Sequence, residues 1–274
     1  MPLSRPVGTD FLRARPEPSY VGPGDIVSGA AAFYGLRAYN AAYATGSNKA
    51  INVRRSSDNT AMDILILSNG NLDVATAMTF ANGSNLFITE WYDQTGNGNH
   101  MVQATAGTQP QLLLTGANGL PTVSANGSQN LATSGSPASG ATVYTIVAVA
   151  ERTGAFTSFG SVLSTSTGAF FDNATNAVTL YAGTLAVVGV ASDSVLHAMQ
   201  FIANDPSSFI DVDGANTPTG SSGGIAFGSP ASLFNGGSLP ATADISEAGI
   251  YAAAFNSTQV ANMWANQKAY WGTP

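Results

Sequence analysis

The residues best suited to chemistry are concentrated in residues 90–100, which read EWYDQTGNGNH. Aromatic rings can stack on sugar rings, and carboxylate and amide oxygens accept hydrogen bonds from sugar hydroxyls. In another interpretation, the acid and the asparagines bond back to the backbone of a tight turn in which the glycines supply positive φ angles. We favour the turn and keep a sugar site as the alternative. The residues concerned are Trp91, Tyr92, Asp93, Gln94, Asn97, Asn99 and His100.

A second polar stretch, VRRSSDNTAMDI, lies about thirty residues earlier in the chain. It contains Arg54, Arg55 and Asp58, and Asp63 follows near its end. Opposite charges this close along the chain favour local ion pairs. We predict a set of ion pairs that stabilises the fold, with ligand binding as the alternative.

The sequence offers little to a metal ion or a cofactor. Two histidines and no cysteine are too few of the usual ligands for a zinc site. His197 lies in the apolar run LHAMQFI and is predicted to pack within a strand. The sequence has no phosphate-binding loop, dinucleotide fingerprint or nucleophile elbow. We therefore expect no metal and no cofactor.

The composition is poor in charge, since only 9% of the 274 residues are charged, against about 25% in an ordinary soluble domain. The net charge is −7, and seven of the nine basic residues lie within residues 1–60. A nucleic-acid partner needs a concentrated basic face, which this pattern does not provide. No apolar run reaches the roughly 18–20 residues of a membrane span. We expect neither a nucleic-acid nor a membrane partner.

The elements that would position these residues begin after a proline-rich segment, residues 1–28, which holds five of the thirteen prolines. Proline fixes φ and removes a donor, so this segment is predicted to be an extended arm. We interpret it as an assembly arm that docks on neighbouring molecules, with residues 29–274 as one domain. The proposed arm contacts are Leu3, Arg5, Phe11, Arg13, Arg15 and Tyr20.

The domain is predicted to be β-rich between two helices. Apolar residues at helical spacing predict a helix over residues 29–45. Short apolar runs separated by turn residues then predict a two-sheet antiparallel sandwich from about residue 45 to 255, and Asp213-Gly214 predicts a hairpin turn. A C-terminal helix should begin at Asn256 or Ser257 and end at Gly272.

The two polar stretches, VRRSSDNTAMDI and EWYDQTGNGNH, together resemble the catalytic domain of glycoside hydrolase family 54, the α-L-arabinofuranosidase B type. The resemblance extends over roughly residues 30–260 and is specific at these two motifs. It implies an all-β fold, a concanavalin-A-like jelly-roll sandwich. Similar domains recur in virion proteins of tailed bacteriophages, often joined to short arms.

The resemblance also implies where catalytic carboxyls would lie. A retaining glycosidase needs two carboxyls, about 5–5.5 Å apart. Matched onto this sequence, the two family positions fall on Val178 and Ser238, and neither side chain can do this chemistry. Asp172, Asp244 and Glu247 are the nearby acids if the match shifts. We therefore assign no catalytic residue and leave enzymatic activity open.

These observations predict a structural or decoration component of a phage-like virion, built on a degenerate arabinofuranosidase-like sandwich. The expected partners are other virion proteins, copies of this chain and a host-surface glycan, and the expected location is the virion. One alternative is an active α-L-arabinofuranosidase-like hydrolase. The other is a carbohydrate-binding adhesion module.

Overall fold

The computed structural model describes residues 19–155, 159–172, 177–188, 194–234 and 239–274. These residues form an antiparallel β-structure with three helices in the described part. The helices are α1 (Pro23–Ile26), α2 (Val74–Ala81) and α3 (Ser257–Trp271). The strands are β1 (Ala32–Gly35), β2 (Lys49–Arg55), β3 (Ala61–Leu65), β4 (Leu86–Trp91), β5 (Met101–Val102), β6 (Gln111–Leu113), β7 (Thr122–Asn126), β8 (Leu131–Thr133), β9 (Tyr144–Arg152), β10 (Phe159–Ser164), β11 (Gly168–Asp172), β12 (Ala177–Tyr181), β13 (Leu185–Val188), β14 (His197–Ala203), β15 (Ser208–Val212), β16 (Ala215–Gly220), β17 (Ser232–Leu233) and β18 (Thr242–Tyr251).

The strands form two antiparallel layers that join along one side. One layer runs β16–β15–β14–β9–β18, and the far edge of β18 pairs with both β1 and β7. The other layer runs β13–β12–β11–β10–β17–β8–β5–β4. The pairs β4–β6 and β6–β7 link the layers, and β2 and β3 extend from β4. The predicted all-β jelly-roll sandwich is confirmed.

Side chains that alternate in direction along the central strands form two separate apolar clusters. In β9, Ile146 and Ala148 belong to the main core between the layers, whereas Val147 belongs to a smaller cluster beneath α3. Successive side chains of a strand point to opposite faces of the sheet. A strand buried on both faces therefore reads as a continuous apolar run rather than an alternating one.

Helix α3 covers the outer face of the layer that contains β9 and β18. Asn256 caps it by accepting from the Gln259 backbone N–H at 3.0 Å, and the Gln259 side chain accepts from the Asn256 N–H at 2.9 Å. This reciprocal pair satisfies two donors that the first turn would otherwise leave free. Gly272 ends the helix with a φ of 67°. The predicted C-terminal helix is confirmed, with Asn256 as its cap.

The helix predicted over residues 29–45 is wrong, because the chain forms strand β1 there. Strand β1 pairs with β18 and is buried on both faces. Phe33 packs in the cluster beneath α3, and Tyr34 packs in the main core. Burial of both rings outweighs the weak helical preference of an alanine-rich segment. The short helix near the N-terminus is α1, which precedes β1 in the chain.

The segment interpreted as an arm is described only from residue 19 onward, so Leu3, Arg5, Phe11, Arg13 and Arg15 lie outside the described residues. The described part lies on the chain's own body. The Tyr20 hydroxyl donates to the Ala38 carbonyl at 2.5 Å, and Asn266 of α3 donates to the Val21 carbonyl at 2.9 Å. No helix in the described ranges is long and apolar enough to cross a membrane.

Candidate functional site

Asp93, the acid of the EWYDQTGNGNH stretch, is fully engaged with the backbone. Its Oδ1 accepts from the Phe33 N–H at 3.1 Å and from the Thr95 N–H and hydroxyl at 3.0 and 2.8 Å. Its Oδ2 accepts from the Asn99 N–H at 3.1 Å. Only 3% of the residue is exposed. The carboxylate therefore ties a tight turn to β1 and presents little surface to a ligand.

The neighbouring amides hold the same strand. Gln94 accepts from the Tyr39 N–H at 2.7 Å and donates to the Gly35 carbonyl at 2.8 Å. Asn97 and Asn99 both donate to the backbone carbonyl of Ala31, at 3.2 and 3.0 Å. Within the described ranges β1 pairs only with β18, and these side chains bond to backbone groups on the other side of β1 and beside it.

The rings of this stretch are also occupied. Trp91 is fully buried in the main core. Tyr92 donates its hydroxyl to Asp63 at 2.8 Å and contacts the His100 ring edge-on. His100 Nδ1 accepts from the Asp93 N–H at 3.0 Å. The four polar side chains Asp93, Gln94, Asn97 and Asn99 therefore form a clamp on β1 and the residue before it, and the rings beside them pack within the fold.

The two arginines of the second polar stretch have different partners. Arg55 binds both oxygens of Asp58, at 3.1 and 2.5 Å, and Arg54 binds the side-chain oxygens of Gln109 and Asn59 rather than an acid. The bond from Arg55 holds the pKa of Asp58 well below its usual range. Asp63 joins Lys49 instead, at 2.6 Å. The set is thus a chain of local surface contacts around β2.

Glu247 is a completely buried acid on β18. Arg37 Nε and Nη2 donate to it at 2.6 and 3.2 Å, Gln267 Nε2 at 2.9 Å and Trp271 Nε1 at 2.8 Å. Burial lowers the pKa of Arg37. The charge of Glu247 and its hydrogen bonds to Arg37 have the opposite and larger effect, so the pKa of Arg37 is raised overall. Four donor groups, two from Arg37 and two from α3, make Glu247 a structural anion that joins β18 to α3.

A groove of about 890 Å³ opens on the outer face of the layer formed by β8, β17, β10, β11, β12 and β13. Among the described residues, none of the side chains that line it is charged. Its walls combine aromatic and aliphatic groups with hydroxyls, the mixture typical of a small-molecule site. The lining residues are Asn130, Phe159, Ser164, Thr165, Ser166, Phe170, Tyr181, Leu185, Gly228, Ser229, Pro230, Ser232 and Leu239.

The strand register places one acid on the same face as this groove. Asp172 lies directly opposite Phe159 of β10, and Phe159 lines the groove. Residues directly opposite each other in an antiparallel pair project from the same face. Phe170, two residues earlier in β11, also lines the groove, which agrees with the two-residue alternation. Asp172 therefore lies on the groove face, where it is 6% exposed.

The two positions implied by the family resemblance do not contribute a carboxyl. Val178 pairs with Phe171 on the opposite face and is fully buried in the main core. Ser238 lies outside the described residues. The remaining acid considered, Asp244, accepts from the Thr122 hydroxyl at 3.1 Å and is 5% exposed. Sequence reasoning named Asp172 only as one of three nearby acids that could serve if the family match shifted.

The predictions around the second histidine are confirmed. His197 lies in β14 and is 6% exposed, with its Nδ1 at 2.5 Å from Asp213 Oδ2. Asp213 and Gly214 have φ angles of 52° and 83° and connect β15 to β16. Positive φ at both central residues is characteristic of a two-residue hairpin turn.

No group of three metal-ligating side chains occurs in the part of the chain that the structure covers.

Comparison with known proteins gives a consistent result. Residues 24–154 match the family model of α-L-arabinofuranosidase B, catalytic. The probable α-L-arabinofuranosidase B of Aspergillus fumigatus is 41% identical over 68 residues, which make up 24% of this chain and 13% of the relative. The structure of an arabinofuranosidase complexed with arabinofuranosyl-α-1,2-xylobiose has 19% identity and a TM-score of 0.67, covering 90% of this chain and 64% of that chain. A GH54 α-L-arabinofuranosidase soaked with a cyclic sulfate inhibitor has 17% identity and a TM-score of 0.63, with the same coverage.

These matches correct the function predicted from the sequence. The structural or decoration role in a phage-like virion is wrong, because the matching family, the curated relative and these solved structures are arabinofuranosidases. The bacteriophage and capsid context has no support among them. The chain spans less than two thirds of the length of each of the three relatives described above. Residues 24–154 match the α-L-arabinofuranosidase B catalytic family, and the fold of the solved arabinofuranosidases extends over 90% of the chain.

Proposed function

We propose that this chain is a glycoside hydrolase of the α-L-arabinofuranosidase type, and that its groove binds the substrate. The observation that carries the proposal is the presence of Asp172 on the face of an uncharged groove. The match of residues 24–154 to the arabinofuranosidase family supports the choice of sugar. A neutral pentose needs hydroxyl partners and apolar contact rather than a charged cradle, and the groove provides both.

Each part of the groove has a chemical role in this proposal. Asp172 would supply one of the two carboxyls that glycoside cleavage requires, as nucleophile or as acid. Phe159, which lies opposite Asp172 and is partly exposed, can contact the carbon–hydrogen surface of a sugar ring, and Phe170 packs edge-on against it. Ser232 lies in the same groove, is partly exposed and can exchange hydrogen bonds with sugar hydroxyls.

A second candidate function is glycan binding without cleavage. Hydrolysis by either stereochemical route uses two carboxyls, and the described lining of the groove contains none. Val178, which the resemblance aligns with a catalytic glutamate, is a core residue. A groove with a single acid on its face would hold a glycoside and leave it intact.

Release of 4-nitrophenol from 4-nitrophenyl α-L-arabinofuranoside tests the two functions. We expect the purified chain to release 4-nitrophenol, and Asp172→Asn to lower kcat/KM by at least about 100-fold in a chain whose circular dichroism spectrum shows that it is folded. Glu90→Gln, in β4 and outside the groove lining, is the matched control and should keep full activity.

Three results would redirect or reject the proposal. Binding of the glycoside by a chain that never cleaves it would favour the second function. Full activity of Asp172→Asn would show that Asp172 is not one of the carboxyls. A chain that neither binds nor cleaves arabinofuranosides would reject both functions.

A further inference from the structure

We infer that the groove has two unequal ends and that the end formed by Tyr181 and Leu185 is an apolar subsite for the aromatic aglycone of a neutral glycoside. This inference rests on the proposed function, since it places the sugar at the Asp172 end. It adds the chemical class of the group attached to that sugar.

The strand register gives the groove its length. At one end Asp172 lies opposite Phe159, and at the other end Gly168 of the same strand lies opposite Tyr181, which in turn lies opposite Leu185. Four residues of an antiparallel strand span about 13 Å. One five-membered sugar ring at Asp172 therefore leaves the Tyr181 end free for the group that the sugar carries.

The Tyr181 end is apolar and open to solvent. Leu185 lines the groove and is 43% exposed. Ile225 is 48% exposed and lies over the backbone of Gly183, where an added Cβ would come within 3.0 Å of the Ile225 Cγ1 atom. Exposed large apolar side chains at one mouth of a groove mark a surface that a ligand can cover. A flat aromatic ring would remove more of this surface from water than a second sugar would.

The lack of basic side chains in the described lining of the groove limits the charge that a ligand can carry. No lysine, arginine or histidine is among its described lining residues. A carboxylate bound there would lose hydration without gaining a cationic partner. The geometry therefore favours a neutral aglycone over an acidic one.

The test compares non-cleavable thioglycosides by titration calorimetry on the intact chain. We expect 4-nitrophenyl 1-thio-α-L-arabinofuranoside to bind about tenfold more tightly than its methyl counterpart, because of the added apolar burial. Leu185→Ser should lower this ratio to about threefold or less. Val102→Ser, at a 40% exposed position in β5, is the matched control and should keep the ratio. The 4-carboxyphenyl thioglycoside should lose most of the gain.

The outcomes separate this inference from the proposed function. Equal affinities of the methyl and nitrophenyl glycosides for the wild-type chain would overturn the aglycone subsite and leave the proposed function standing. An unchanged ratio in Leu185→Ser, or tighter binding of the carboxyphenyl glycoside, would also overturn it. Failure of both glycosides to bind would reject the subsite and the proposed function together.

Discussion

Arg37 and Glu247 form an ion pair that is almost completely removed from water, with 2.6 Å between Arg37 Nε and Glu247 Oε2. Their positions are 210 residues apart in the chain. Tyr270 and Trp271 of α3 also lie within cation–π distance of the guanidinium. The pair therefore holds the start of the domain, its last strand and its last helix in one place.

Replacing Glu247 with alanine should destabilise the fold strongly, because it leaves a buried guanidinium without its counter-ion. Breaking one side of a buried pair typically costs about 3–5 kcal/mol. We expect this loss in the free energy of unfolding measured by urea denaturation. Lys49→Ala, which breaks the exposed pair with Asp63, is the control and should change stability little. A Glu247→Ala chain as stable as the wild type would show that the pair contributes no net stability.

Asp93→Ala should damage folding rather than a ligand site. It removes an acceptor that serves backbone donors of Phe33, Thr95 and Asn99, of which Phe33 is fully buried. A buried donor left unsatisfied costs about 1–3 kcal/mol. Thermal unfolding should show the loss, and Glu90→Gln in the same stretch should not. A chain that keeps its melting temperature but loses glycan binding would contradict the clamp.

Asp211 should make the chain less stable as pH rises through about 6. It is fully buried in β15, and burial raises its pKa to about 6, helped by the charge of Asp213 and opposed by bonds from the Gly214 N–H and Gln200. Its Oδ2 and the Oε1 of Gln200 have no hydrogen-bond partner among the described residues. The folded chain binds the Asp211 proton more tightly than the unfolded chain does. The stabilisation from protonated Asp211 is therefore full below about pH 4 and lost above about pH 6.

Asp211→Asn tests this directly. The asparagine amide remains neutral and can donate to Gln200, so the variant should be more stable than the wild type at pH 7.5 by about 2–3 kcal/mol. At pH 4 the two chains should be nearly equal. The difference between variant and wild type isolates Asp211 from His197 and the other titrating groups. A difference independent of pH would contradict the assignment.

The sequence allowed the sandwich to be predicted but not the groove. The Asp213-Gly214 turn and the capped helix α3 depend on neighbours in the sequence, and each was predicted where it occurs, whereas the short strands were predicted only as a run from about residue 45 to 255. Strand β1 was missed because its burial depends on β18, more than two hundred residues away. Asp172 could not be assigned to the groove because its face is set by pairing with Phe159, not by local pattern.

Introducing a glutamate at Val178, where the family resemblance places a catalytic glutamate, should not increase catalysis, and this tests the orientation of β12. Val178 is fully buried in the main core, opposite Phe171 and Val188. A carboxylate at this position would be buried without a partner. The folded chain would either keep the glutamate protonated or lose several kcal/mol of stability. Val178→Glu should therefore lower the melting temperature and release no more 4-nitrophenol than the wild type. Leu185→Glu places the same group at a 43% exposed position in the neighbouring strand and should leave the melting temperature nearly unchanged. A folded Val178→Glu chain with increased turnover would show that this position faces the groove, and the assignment of Asp172 to that face would fail with it.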